Sequence, residues 1–237
     1  MAAKAWHLRH VRLLIYVGLV VAVVGIVYSC FADVKDPTLG WVGMRELFGL
    51  WALGLMLTAM VAGPLTFVVP WLPIRPHLVL GRRALGIAAF VMAVLHVVTY
   101  LGPVLYRDWH ELYTPGRLWV AGLLLGVPIF VDLAVLAFTS SDRSVQELGP
   151  RKWKRIHQTV YWALPVVLLH GAFVGADFGI NKGPDVPGSP DAGSLIGMLV
   201  FAGSWLGLFL LRKNRIQWRT AGVQAKNRQS LRSKPRN

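Results

Sequence analysis

Six stretches of the chain stay apolar for long enough to cross a hydrocarbon layer of about 30 Å, which takes roughly 20 helical residues. They run over approximately 12–32, 46–72, 84–106, 118–138, 156–176 and 194–211, with short polar clusters between them. Inside a bilayer no water is available to satisfy an open backbone, so runs of this length predict helices. The expected fold is all-α: a polytopic six-transmembrane-helix bundle over residues 1–211, followed by a basic tail, 212–237, expected to be disordered. The first run follows Lys4, Arg9 and Arg12. It is longer than the apolar core of a cleaved leader and lacks a small-residue cleavage site, so it reads as a span.

Composition narrows the choice of function. Of the 237 residues, 55% are hydrophobic and only 15% are charged, against about 25% charged in a soluble domain. The segments left between the spans are too short for a Rossmann domain, and no phosphate-cradling glycine loop follows a strand pattern. Chemistry is therefore expected between the helices or with a partner. The single cysteine, Cys30, excludes an intrachain disulfide and any multi-cysteine iron–sulfur or zinc site.

A net charge of +14 in a soluble protein would suggest nucleic acid. Its placement here argues otherwise. With the N-terminus in the cytoplasm, only Lys35, Arg45, Arg107, Arg117 and Lys182 fall on the far side, and all other basic residues gather on the near side. The positive-inside rule then puts both termini in the cytoplasm. The basic face and tail are expected to meet anionic membrane lipids.

Ionisable groups within a bilayer are costly, so they are the first place to look for chemistry. His96 in the third run and His170 in the fifth lie at similar depth: both runs cross in the same direction, and His170 is about 22 Å of helical rise from the basic cluster at Arg155. A neutral imidazole is a common haem ligand, and two on facing helices close both axial positions, which suits electron transfer. No Cys-x-x-Cys-His occurs, so the haem would be a non-covalent b-type. For either histidine taken alone, the plainer role is a hydrogen bond between helices.

His157 lies at the cytoplasmic mouth. On a straight helix it would point about 140° away from His170, although Pro165 between them can change that phase. Two ligand schemes follow. In the favoured one, His96 and His170 hold one haem toward the outer half and His157 serves a second, weaker site near the inner mouth, with His77 or another donor. In the other, His96 pairs with His157 and His110 with His170. Arg82, Arg83, Arg151 and Lys152 suit haem propionates or a flavin phosphate at the inner face, but serve equally as topology signals. Asp132, within the fourth run, reads either as part of a proton path for quinol oxidation or as the partner of a neighbouring polar group. The loop 177–193, rich in Gly, Pro and Asp, reads as an irregular connection and a docking surface for an exported partner.

Several segments together resemble the ferric-reductase-like transmembrane family. They are Gly49-Leu50-Trp51-Ala52-Leu53 with Ala62-Gly63-Pro64-Leu65, Gly81-Arg82-Arg83-Ala84-Leu85-Gly86 leading to Leu95-His96, Phe138-Thr139-Ser140, and Trp153-Lys154-Arg155-Ile156-His157 leading to Leu169-His170. The likeness covers roughly residues 35–175. It implies that His96, His157 and His170 are haem-associated, with one haem b or two, and it admits FMN as a further cofactor. The implied activity takes electrons from the quinone pool of a bacterial inner membrane and passes them to a periplasmic molybdenum-containing reductase of the methionine sulfoxide type. Two rivals stay open at this point: a metal-ion reductase fed by a separate flavoprotein, and a haem-free anchor or assembly subunit.

Overall fold

The computed structural model describes residues 2–32, 37–68, 71, 75–107, 110, 116–174, 199–200, 202–207 and 209–210. Its elements are all helical: α1 (Ala2–Phe31), α2 (Pro37–Val68), α3 (Arg75–Arg107), α4 (Arg117–Phe138), α5 (Asp142–Ile156) and α6 (Val160–Val174). Four of these are long and apolar enough to cross a membrane, over His10–Phe31, Leu39–Leu65, Leu80–Gly102 and Arg117–Phe138. Their outward faces are greasy: Leu14, Val20, Val21, Val24 and Tyr28 on α1, and Leu124, Val127 and Phe138 on α4, are exposed. Without water on that side, such a face costs nothing in lipid.

The fifth expected crossing departs from the pattern. Instead of one helix over 156–176, the chain forms α5, breaks at residues 157–159, and resumes as the 15-residue α6. The cause is local. Ser141 caps the start of α5 by accepting from Ser144 N–H at 3.0 Å, and the helix is polar, with Asp142 in its first turn and Lys154 and Arg155 in its last. Those charges complement the helix dipole and favour the membrane surface over its interior. Gly149, at φ 75° before Pro150, bends α5 midway. His157 therefore ends α5, and no helical phase relates it to His170.

In the sixth run, residues 199–200, 202–207 and 209–210 are helical. They attach to α6 through a proline defect. Pro165 has no N–H, so the Tyr161 carbonyl four residues earlier lacks its helical donor. Trp205 Nε1–H donates to that oxygen at 2.7 Å, and Trp205 stacks on Phe209 with ring centres 5.7 Å apart. The loop 177–193 and the tail 212–237 lie outside the described residues.

The bundle is built from two helix pairs, α2 along α3 and α4 along α6, with α1 laid against α2 and α3. The α2–α3 seam is written at a spacing of four. Met44, Phe48, Ala52, Met56 and Met60 are buried on α2, and Ala84, Ala88 and Met92 on α3. Residues four apart share a helix face, so each set forms one ridge. Small alanines let the backbones approach, and flexible methionines fill what remains. The α3 ridge runs on through His96 to the buried Tyr100, which turns a packing stripe into a functional one.

Candidate functional site

Between the two helix pairs lies an apolar cavity of about 460 Å³, within the usual size of a ligand site. His96 enters it from α3 and His170 from α6, near the ends of those helices away from Arg82 and Arg83. Their ring centres are 6.2 Å apart and their planes cross at 83°. Protein imidazoles bind a metal at about 2.0–2.1 Å, and the ring centre lies about 1.1 Å behind the bonding nitrogen, so two rings on opposite sides of one metal sit about 6.3 Å apart. The observed separation is of that size, and the donor set, two imidazoles each with Nδ1 on a carbonyl beside an apolar cavity, suits a bis-imidazole iron group.

The two rings are held by the same device. His96 Nδ1 lies 2.8 Å from the Arg45 carbonyl oxygen on α2, and His170 Nδ1 lies 2.8 Å from the Gly122 carbonyl oxygen on α4. A carbonyl only accepts, so each Nδ1 carries the proton and each Nε2 keeps its lone pair. Four residues beyond each carbonyl stands a glycine, where the next turn of the helix would otherwise press on the ring. A Cβ at Gly49 would fall 2.9 Å from His96 Nδ1, and one at Gly126 would fall 3.0 Å from His170 Cε1. Carbonyl and glycine together form a slot that fixes tautomer and ring direction, the arrangement expected behind a metal-binding imidazole.

The opposite end of the bundle is basic and is organised differently. His157 Nε2 is 3.2 Å from Thr139 Oγ1. That hydroxyl spends its own hydrogen on the Val135 carbonyl at 2.6 Å, so His157 is the donor and its proton sits on Nε2. The ring stacks on Trp153 with centres 4.0 Å apart, while Trp153 Nε1–H donates to the Thr139 carbonyl at 2.8 Å. His157 does not line the cavity that holds the other two.

The arginines singled out from sequence gather at this basic end or beside it. Arg82 donates from Nε to the Ala59 carbonyl at 3.0 Å and lies against Gly63, tying α3 to α2. Arg83 pairs with Asp142 and covers the Trp153 ring at 5.4 Å. Its guanidinium holds the exposed Asp142 carboxyl below the usual carboxylate range, first by hydrogen bonding and then by charge. Arg151 and Lys152 are exposed on α5. None of the four lines the cavity. Asp132 accepts from Thr159 Oγ1 at 2.7 Å, which is the neighbouring polar partner expected for it. Its Oδ2 is buried with no hydrogen-bond partner among the described residues. His77 and His110 are exposed, and neither lines the cavity.

Two features of the site escaped the sequence reading. Gly49 and Gly126 matter only because a histidine on another helix faces them. Arg45 looked like one more topology charge, yet it lines the cavity beside Tyr100 and Trp119.

Two helix pairs thus enclose an apolar cavity that two imidazoles enter from different helices. The family model described as the ferric reductase like transmembrane component matches residues 46–168, and the chain belongs to that family. The match includes His96 and His157 and stops two residues before His170. Among individual relatives, the chain is 34% identical over 127 residues to the protein-methionine-sulfoxide reductase heme-binding subunit MsrQ of Caulobacter vibrioides, covering 54% of this chain and 58% of the relative. It is 30% identical over 128 residues to the MsrQ subunit of Rhodospirillum rubrum, covering 52% and 56% respectively. The chain thus spans somewhat more than half the length of these relatives.

Proposed function

We propose that this protein is a membrane electron-transfer subunit that holds a b-type haem between His96 and His170. The carrying observation is the pair of imidazoles 6.2 Å apart, each fixed through Nδ1 to a carbonyl of the neighbouring helix. A bound haem supplies one-electron chemistry, and the protein tunes it by ligand identity, burial and hydrogen bonding. Donation from Nδ1–H makes each Nε2 more basic and favours the oxidised, more positive iron. His96 and His170 would hold the haem iron between them, and a haem so held would supply electron transfer rather than oxygen activation.

In this reading the bundle crosses a bacterial inner membrane six times within residues 1–211, the fifth crossing using α6 and the sixth residues 194–211. The basic end and both termini face the cytoplasm, and the tail 212–237 meets lipid. Electrons enter from quinol on the basic side and leave outward to a periplasmic molybdenum-containing reductase of the methionine sulfoxide type. His157, stacked on the Trp153 that Arg83 covers, serves a second, inner cofactor, either haem or FMN, with Arg82, Arg83 and Arg151 as its basic side chains. To release its Nε2 for a metal there, His157 would have to give up Thr139. Asp132, whose buried Oδ2 has no hydrogen-bond partner among the described residues, takes a quinol proton in this reading.

Quinol reduction of the purified protein tests the reading. Addition of a short-chain quinol should reduce the haem within the mixing time of a spectrophotometer. A haem that responds only to a flavoprotein and NAD(P)H would favour the metal-ion reductase instead. A preparation that shows no Soret band after haem supplementation would leave a haem-free anchor.

A further inference from the structure

The cavity is almost wholly apolar, and its charged lining is confined to one place. Among the described residues, Arg45 and Glu46 are the only lining side chains that carry a formal charge, and both lie near the start of α2. Arg45 is largely buried, its side chain 18% exposed. Its guanidinium carbon stands 5.6 Å from the centre of the Tyr100 ring and 6.0 Å from that of Trp119, and those two rings are 6.3 Å apart. Glu46 Oε1 is 3.6 Å from Arg45 Nη2, too long for a hydrogen bond. Trp119 Nε1 is buried and has no hydrogen-bond partner among the described residues. A cation and an unused N–H therefore meet in an apolar cavity, beside the histidine whose Nδ1 rests on the Arg45 carbonyl.

Buried polar donors without partners are costly and rare. A planar guanidinium in a cavity is suited to a carboxylate, which it grips with two parallel hydrogen bonds. A b-type haem carries two carboxylates on one edge and is apolar elsewhere, and this cavity likewise is apolar except at one corner, where Arg45, with Glu46 in a loose ion pair beside it, presents the cation. We propose that Arg45 and Trp119 form the carboxylate-binding corner of the haem site, Arg45 by a charged fork and Trp119 by its indole N–H. The propionate edge would then face the end of the bundle opposite Arg82 and Arg83. The inner arginines are left to the second cofactor. This assignment rests on the His96–His170 haem reading and adds which edge of the ring faces outward.

The test compares haem with its dimethyl ester, in which both carboxylates are masked, titrated separately into the full-length apoprotein in detergent and followed by the Soret band. The intact protein should bind haem about tenfold or more tightly than the diester, as expected for charge-assisted hydrogen bonds in an apolar site. Arg45→Gln should weaken haem to near the diester's affinity and leave the diester unchanged. Arg45→Lys should restore part of the preference, and Trp119→Phe should reduce it by a smaller factor. If Arg45→Gln weakens both ligands equally, Arg45 acts through packing and the proposal fails. It fails also if the variant keeps the full preference for haem, which would send the carboxylates to another corner. Absence of a Soret band with either ligand in the intact protein would remove the haem reading itself and this assignment with it.

Discussion

At the end of the bundle away from Arg82 and Arg83, His96 and His170 each hand Nδ1–H to a backbone carbonyl and keep Nε2 open, with a glycine clearing room for the ring. At the basic end, His157 spends Nε2 on Thr139 and one ring face on Trp153. Residue type is the same in all three cases, so the backbone and its neighbours make the difference. A carbonyl partner leaves the better-exposed nitrogen for a metal, whereas a hydroxyl partner on Nε2 occupies it. A histidine in a membrane helix is thus a candidate ligand only in proportion to what its other nitrogen is doing.

The sharpest way to break this comparison is to remove the rings one at a time. His96→Ala and His170→Ala should each abolish most of the haem absorbance, by roughly tenfold or more, as loss of an axial ligand predicts. His110→Ala should leave it unchanged, and His157→Ala should spare the haem held by the other two. Equal loss in His157→Ala would mean that the two ends are not distinct. Next in size are the glycines. Gly126→Ala and Gly49→Ala place a Cβ about 3 Å from a ring and should shift the Soret maximum and the haem midpoint potential, while Gly54→Ala, with nothing within 4 Å, should shift neither.

A smaller effect is expected where no cofactor is involved. Trp205→Phe removes the indole N–H that donates to the Tyr161 carbonyl and should cost about 1 kcal/mol, read as a lower melting temperature in detergent with the Soret maximum unmoved. The smallest concerns the surface pair of Arg83 and Asp142. Because Arg83 lowers the Asp142 pKa from its ordinary 3.8, the pair stabilises the fold at neutral pH, and that stability is lost as pH falls through and below this value. Asp142→Asn should therefore lower the melting temperature slightly at pH 7, with the gap between the two proteins closing as the pH approaches 3. A gap that widened on acidification would contradict the pairing.

How much of this could be read from the chain depends on the range of the interaction. Span positions follow from local hydropathy, so α1 to α4 lie close to the expected runs, and each extends into flanking residues that hydropathy does not score. Matching His96 with His170 needed only helical rise, and the cavity holds both. The break at 157–159 was missed because the apolar run begins at Ile156 and hides the polar α5, whose cap at Ser141 and bend at Gly149 govern where the helix lies. Gly49, Gly126 and Arg45 were out of reach for another reason. Their meaning comes from a side chain on a different helix, which no periodicity along one segment reveals.

The central claim is that one iron is gripped by two neutral imidazoles. Low-temperature electron paramagnetic resonance of the oxidised, haem-loaded protein tests it most directly. The account predicts a low-spin, six-coordinate ferric signal in the intact protein, conversion to high spin of the small fraction of haem that His96→Gly or His170→Gly retains, and return of the low-spin signal, with fuller loading, when free imidazole is added to either variant. A high-spin signal from the intact protein, or a low-spin signal that survives both substitutions, would contradict it.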